Sequence, residues 1–566
     1  MNFDIRKVPF SRYGSYLTVS YLNIKDIKEG LYLRSVHGGD NEPSSAFFIE
    51  MIQESKPVPF ECIASPTMLR LEARQGFVEL CISEEHLIRA RGEGVGLRLS
   101  MKTGAYDSAV PAKVSSWEVN SYSEEIKFML TPISGKLIMN APWRDCRNEY
   151  IVADFIPDEK TGRFECAIED FVTVYEERQF NDTFEECAEK VKKDFSAWLE
   201  NTLPTEEKYK NARELAAYIM WSCVVPSKGN LSRPAVYMSK NWMTNIWSWD
   251  NCFNAMALVR NNPKLAWDQL MLFFDKQDKT GVIPDFLNDK YSYWNCCKPP
   301  IHGWALRWMM DRSEFFSREK LREIYGPLCR WTEWWFLYRD YDCDGIPQYN
   351  HGNDSGWDNS TVFRDGVPVE SPDLSSFLVL QMDTLAVLAD ILDKTEEAGM
   401  WRKRAYETLK KMLKHFWCSN NFVALISGSH KFIESDSLQL FLPLVLGKRL
   451  PQMVIDSLID GLKQKDKFLT DFGLATESIS SKYYAPDGYW RGPIWAPSTM
   501  IIVDGLAAAG KKELARDIAR RFCDMVAQGD IAENFNALTG EGQRDTAFTM
   551  TASVFLILSN EYCNLY

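Results

Sequence analysis

The feature that most constrains the fold is an alternation in the second part of the chain. After Pro204 the sequence reads as twelve helices, at about 206–224, 250–261, 263–276, 300–312, 317–339, 373–393, 395–416, 435–446, 451–463, 496–509, 511–527 and 545–560. Apolar residues at helical spacing set them. End signals support them, such as Ser371-Pro372-Asp373 before one helix and Gly510 after another. The connections are of two kinds. Those before the odd-numbered helices are short and plain. Most of those before the even-numbered helices are aromatic, rich in Gly and Pro, and charged: NWMTNIWSWDN (241–251), NDKYSYWNCCKPPIHGW (288–304), DYDCDGIPQYNHGNDSGWDNS (340–360), YYAPDGYWRGPIW (483–495) and ENFNALTGEGQRD (533–545). Helix 8 follows the plainer FIESDS (432–437). Helices running alternately up and down and closed in a ring make an inner and an outer layer. Connections of one parity then emerge on one face. The pattern predicts a mainly α chain built as an (α/α)6 barrel, with a functional face drawn from every second loop.

The first part reads differently. Only Trp117, Trp143 and Trp198 of the 19 tryptophans precede residue 200. Residues 1–180 carry short β segments, among them 15–22, 31–36, 46–52, 68–73, 77–82, 95–101, 126–132, 136–140, 150–155 and 170–177, separated by turns such as RGEG and TGR. Many short strands at close spacing predict a β-sandwich. The expected organisation is an N-terminal β-sandwich domain over 1–180, a linker helix over 181–204, and the barrel over 205–566.

Composition removes several function classes. The 65 basic residues are outnumbered by 78 acidic ones, a net charge of −13, so the chain lacks the basic footprint of a nucleic-acid binder. No phosphate-cradling GxxxxGK[ST] occurs. The start, MNFDIRKVPFSRYG, has no apolar signal region, and no uncharged apolar run reaches eighteen residues. The 14 cysteines are scattered without CxxC spacing. These features lead us to expect a cytoplasmic protein with reduced thiols and no membrane partner. Asp340-Tyr-Asp342-Cys-Asp344-Gly345 opens like a calcium loop, but Pro347 stands at the eighth position and His351 at the twelfth, where a bidentate Glu is needed. A sharp Asp-Gly turn is the reading adopted, with calcium as the lesser one. The six histidines show no HxH or HExxH spacing, so no zinc site and no cofactor is expected.

A cleft lined with Trp and Tyr and punctuated by Asp, Glu, Arg and Asn suits sugars. Aromatic faces stack on pyranose C–H faces, and the polar groups bind hydroxyls. Trp331, Trp334 and Trp335 fall mid-helix at packing positions. Trp242, Trp247, Trp249, Trp294, Trp304, Trp357, Trp490 and Trp495 fall in or beside the face loops, with His302 and His351. Cleaving a glycosidic bond takes two carboxylates. Asp358, in Gly-Trp-Asp-Asn-Ser, has a tryptophan beside it that can desolvate it and raise its pKa, as a general acid requires. Glu533, in Glu-Asn-Phe-Asn, has polar neighbours that can keep it ionised as a base. Glu541 in the same loop is the reserve candidate.

The segments IWSWDNCFNAMAL (246–258), KPPIHGWAL (298–306), HGNDSGWDNS (351–360), SPDLSSFLVLQMDTLAVLA (371–389), YWRGPIWAPS (489–498) and ENFNALTGEG (533–542) resemble, in order, glycoside hydrolase family 63 and the related family 37 trehalases. The likeness is nearest to the compact bacterial members. The resemblance implies Asp358 as general acid and Glu533 as general base of an inverting reaction on an α-linked sugar. It implies a sugar subsite lined by Trp249, Asp250, Trp490, Arg491 and Gly492. Lys298, His302, Trp304, Gly356, Trp357 and Trp495, in or beside the matching motifs, complete the expected set. The expected activity is exo-acting, an α-glucosidase on small oligosaccharides or glycosides. The alternatives are an inverting glycosidase for mannosylglycerate-like or trehalose-like substrates, a disaccharide phosphorylase, and a carbohydrate-binding protein without catalysis.

Overall fold

The computed structural model describes residues 1–25, 27–39, 46–113 and 115–564. They form two compact units. The first comprises Met1–Asn201 with Ala217–Pro226 and Ser239–Thr244. The second comprises Thr202–Ala216, Ser227–Met238 and Asn245–Tyr566.

The first unit is a sandwich of two antiparallel sheets. One orders its strands 17–22, 30–35, 47–53, 96–101, 151–156 and 136–140, with 56–58 pairing beside 47–53. The other orders 108–111, 117–121, 126–134, 163–171, 87–93, 76–84, 69–73 and 61–64. Alternate residues such as Leu31, Leu33, Phe47, Ile49, Leu97 and Leu99 of the first sheet share one core with Leu69, Leu71, Val78, Leu80, Phe128 and Leu130 of the second. Each such side chain, fully buried, contributes about 1.5–3 kcal/mol.

Two departures from the sequence reading have plain causes. Strand 87–93, LIRARGE, looks like a charged turn. Its Ile88 and Ala90 face the core, while Arg89 and Arg91 pair across the outer face with Glu165 and Glu79. Conversely, strand 163–171 stops at Phe171. Val172 and Val174 alternate like strand residues but lie exposed without a partner strand.

Helix α1 (Phe184–Glu200), read as a linker, lies within this first unit. A capping box of Thr183 and Glu186 starts it, and Phe184, Cys187, Val191 and Phe195 form its buried face. It packs on strands 76–84 and 87–93.

The helices continue as α2 (Lys210–Cys223), which spans the division between units, α3 (Asp250–Leu258), α4 (Pro263–Phe274), α5 (His302–Met310), α6 (Arg318–Tyr338), α7 (Pro372–Ile391) and α8 (Thr395–Phe416). A 3₁₀ segment (Leu438–Arg449) is followed by α9 (Gln452–Lys463), α10 (Ala496–Ala508), α11 (Lys512–Gln528) and α12 (Thr549–Ile557). In the second unit α3 packs on α5, α5 on α7, α7 on the 3₁₀ segment, that segment on α10, α10 on α12, and α12 back on α3. The inner ring is therefore closed. All nine residues of α3 and all nine of α12 are buried. Outside it, α4, α6, α8, α9 and α11 each pack on an inner neighbour. All but α4, in which ten of twelve residues are buried, are amphipathic: α11 buries Ala515, Ile518, Ala519, Phe522 and Val526 and turns its charges outward.

Pro443 and the left-handed Gly447 make the eighth helix a 3₁₀ segment. Gly510 ends α10 at φ 80°, as its position predicts. Ser371 precedes α7, but its hydroxyl donates to Asp373 instead of capping a backbone N–H. Among the described residues α7 is also the one helix long and apolar enough by composition to cross a membrane. Most of it is buried as an inner helix. All fourteen cysteines are free thiols.

Candidate active site

The loop before α7 is rigidly built. Gln348-Tyr349 pairs with Val369-Glu370. His351 caps a 3₁₀ turn, Gly352–Ser355, its Nδ1 accepting from the Asn353 N–H at 3.0 Å. Asp354, one of the many face-loop acids, proves to be an anchor. It accepts from the backbone N–H of Cys297 and of Asn350 and from Arg339. Gly356 then turns left-handed at φ 73°, and a Cβ there would sit 2.5 Å from the Trp249 ring. That close approach presses the loop before α3 against the loop before α7. Asp358 follows. Its neighbour Asn359 donates to the Gly488 carbonyl at 3.0 Å and accepts from the Trp490 N–H at 2.9 Å. The carboxylate is thereby fixed beside the loop before α10, with Oδ1 buried and without a hydrogen-bond partner.

The tryptophans form a continuous wall. Trp490 stacks on Trp495 at 4.0 Å and meets Trp357 at 4.6 Å and Trp249 at 6.2 Å. All four are buried. Gly492 is needed in this wall's backbone: at φ 148°, a Cβ would lie 2.2 Å from the Ala485 carbonyl oxygen.

Glu533 enters from the loop before α12. Asn534-Phe535 pairs with Ile494-Trp495, and the Glu533 N–H donates to the Asp545 carbonyl at 2.7 Å. The side chain is 4% exposed. Burial, followed by the charge of Asp545, pushes its pKa up to about 7, against the opposing pull of the Tyr489 hydroxyl and Arg544. Sequence reasoning expected polar neighbours to keep this group ionised. Those neighbours act elsewhere: Asn536 accepts from Leu538 and Thr539 in a turn, and both amide atoms of Asn534 are buried and unpartnered. A carboxyl balanced near neutrality is nonetheless suited to proton transfer. Glu541 lies exposed in the same loop.

Tyr489 bonds one candidate carboxylate and lies within electrostatic reach of the other, and sequence reasoning passed over it as one more aromatic. Its hydroxyl donates to Glu533. Burial first, then the charges of Glu533, Asp358 and Asp250, raise its pKa. It occupies left-handed backbone at φ 63°, uncommon for a bulky residue and a known mark of functional sites. Because the hydroxyl draws the Glu533 pKa down, Tyr489→Phe should move the acid limb of the activity–pH profile to higher pH and lower kcat near neutrality. An unmoved limb would separate Tyr489 from the titrating group.

Asp250 opens α3. It is buried, its Oδ2 lacks a partner, and burial pushes its pKa up to about 7 even with Lys298 opposing. Lys298 is buried as well. Burial alone would depress it, but Asp285, Asp358 and Asp250 hold it protonated. Its Nζ is 3.1 Å from Asp285 Oδ1, and it also donates to Asn353. Four acids from four loops therefore surround one lysine and one tyrosine.

The remaining candidates sit as follows. Trp304 donates its indole N–H to Asp504 at 2.7 Å and meets Phe253 at 6.0 Å. His302 is 1% exposed, edge-on to Phe274 and Trp331, and burial depresses its pKa to about 3, so it is neutral. Both belong to the packing between helices. Arg491 is half-buried near Glu477, with Nε unpartnered.

Residues 243–551 match the family described as the mannosylglycerate hydrolase MGH1-like glycoside hydrolase domain. A mannosylglycerate hydrolase MGH2 of Selaginella moellendorffii is 21% identical over 389 residues, covering 55% of this chain and 79% of its own. A glucosylglycerate hydrolase of Mycolicibacterium hassiacum is 21% identical over 408 residues, covering 55% and 91%. Among solved structures, a GH63 mannosylglycerate hydrolase of Thermus thermophilus in complex with glucose superposes with a TM-score of 0.53 at 18% identity, over 60% of this chain and 98% of that one. A bacterial glucoamylase complexed with acarbose superposes at 0.61 with 12% identity, over 99% and 94%. The last two similarities speak to fold.

Proposed function

The chain belongs to the mannosylglycerate hydrolase MGH1-like glycoside hydrolase family, and from that premise we propose that it is an inverting, exo-acting hydrolase of α-linked hexosides of glycerate. The expectation of a general α-glucosidase narrows accordingly, since the two curated relatives described above are named for mannosylglycerate and glucosylglycerate. The observation that carries the mechanism is that the two acids stand on linked loops: Asn359, next to Asp358, bonds the Gly488 carbonyl and the Trp490 N–H, and Ile494-Trp495 of that loop pairs with Asn534-Phe535, next to Glu533.

In the proposed reaction Asp358 gives its proton to the glycosidic oxygen as the C–O bond to the anomeric carbon breaks. A water attacks that carbon from the opposite face, and Glu533 takes the water's proton. The free sugar leaves with inverted configuration, and the aglycone leaves as the alcohol. Asp358 ends ionised and Glu533 protonated, and exchange with solvent restores both. The raised pKa of Glu533 gives a direction for pH dependence: kcat/KM should rise as pH rises through about 7, where the base ionises.

The test is a proton-NMR time course on α-mannosylglycerate, α-glucosylglycerate, trehalose and an aryl α-glucoside. The expected result is β-anomer first, with the glycerate glycosides cleaved most efficiently. First release of α-anomer would end the inverting assignment. Turnover only with inorganic phosphate would make the protein a phosphorylase. Asp250, with its buried free oxygen, is the proposed partner of the terminal sugar's hydroxyls. A hydrogen bond to a charged group is worth about 1.5–3 kcal/mol. Asp250→Ala should therefore cut kcat/KM by roughly ten- to a hundredfold, and an unchanged value would remove it from the subsite.

A further inference from the structure

Away from the acid pair, four segments bring two imidazoles and two carboxylates together. Asp344 comes from the loop after α6, Glu370 from the strand before α7, His415 from the last turn of α8, and His430 from the turn between strands 424–426 and 431–433. One ligand atom from each lies within 4.8 Å of the others. His415 Nε2 is 2.6 Å from Glu370 Oε2, and His430 Nε2 is 3.7 Å from that oxygen and 3.6 Å from Asp344 Oδ2. The rings stand edge to face, 4.9 Å apart. Donors at about 2.0–2.1 Å around a tetrahedral zinc are separated by roughly 3.3 Å, so these spacings need only small adjustment.

Two further observations favour a cation. Glu370 is fully buried, and its second oxygen, Oε1, has no hydrogen-bond partner. By contrast, the neighbouring aspartates spend oxygens on the turn: Asp340 Oδ2 accepts from the Gly345 N–H, Asp342 Oδ1 from Asp344, and Asp344 Oδ1 from Ile346. That leaves Asp344 Oδ2 facing the imidazoles. Asp342 Oδ2, 3.0 Å from His430 Nε2 and accepting from the Gly428 N–H, borders the site.

We propose that Asp344, Glu370, His415 and His430 bind a four-coordinate divalent transition metal of the zinc type. Two nitrogens and two carboxylate oxygens suit zinc. Calcium needs six to eight oxygens, which this set does not supply. The metal would join the turn at 344 to the strand 369–370. That strand pairs with 348–349, the segment leading into the Asp358 loop. The site thus fixes the base of the loop that carries the acid.

The test uses the full chain with the exposed Cys146, Cys343 and Cys418 changed to Ser, because Cys343 lies in the same turn. After chelator treatment and dialysis, zinc is titrated by calorimetry. One equivalent should bind in the micromolar range or tighter and raise Tm, while calcium at the same concentration should not displace it. His430 is exposed, so His430→Asn should fold, and it should weaken zinc binding at least tenfold. No zinc binding, equal binding in His430→Asn, or displacement by calcium would overturn the proposal.

Discussion

Glu533→Gln should lose activity by about a thousandfold, within the 10²–10⁴ range attributed to general acid–base catalysis, and should be the more heat-stable protein at pH 8. The two effects share one cause. Burial holds the Glu533 pKa near 7, above its ordinary carboxylate value. The folded state therefore binds this proton more tightly than the unfolded chain, and stability falls as pH rises from the ordinary carboxylate range through about 7. At 1.36 kcal/mol per pKa unit, the buried charge costs about 3–4 kcal/mol above that range. Glutamine removes the charge, so Tm should exceed that of the wild type at pH 8, and the difference should vanish near pH 4. Melting curves at both pH values check the stability, and initial rates on a glycerate glycoside check the activity. A variant that is inactive but destabilised at pH 8 would mean that Glu533 supports the fold instead of serving as a base held in an unfavourable setting.

Asp358→Asn should lose a similar factor, but selectively. An acid matters in proportion to how badly the leaving group needs a proton. With a glycerate aglycone, a poor leaving group, the loss should be on the order of a thousandfold. With a glycosyl fluoride, whose leaving group needs little protonation, the loss should be far smaller. Glu533→Gln should impair both substrates alike, since both need the activated water. The ratio of the two losses separates acid from base without a bound ligand, and equal losses in Asp358→Asn would remove it from the acid role.

The helical half was legible because the inner helices are mostly apolar and most of the loops before them carry aromatic, Gly or Pro residues, the plainer FIESDS before the 3₁₀ segment being the exception. Helical periodicity and turn chemistry are local, so one sequence exposes them. The sandwich was legible as a class but not strand by strand: Arg89 and Arg91 hid a strand because their charges are neutralised by Glu165 and Glu79 from other strands. Asp358 and Glu533 were named from context and resemblance, whereas composition alone could not separate them from the other face-loop acids. The structure distinguishes those acids by their partners, with Asp354 anchored by backbone N–H groups and Asp250 left with a free oxygen. Tyr489 was missed because its role rests on a hydroxyl and an unusual φ, neither visible as a letter. The imidazole–carboxylate cluster was missed because spacing rules read one segment at a time.

The closing contact of the inner ring is between α3 and α12, elements some 290 residues apart. It is the most sequence-distant contact in the ring, and Glu533 stands just ahead of it. A chain growing from its N-terminus carries α3 and Asp250 without α12 through all the intervening synthesis, its apolar flank open to water, while Tyr489 and α10 emerge only near the end. Hydrolytic competence is therefore a late event in biogenesis, gained in a single closure, and the half-built ring is the species most in need of shelter from aggregation.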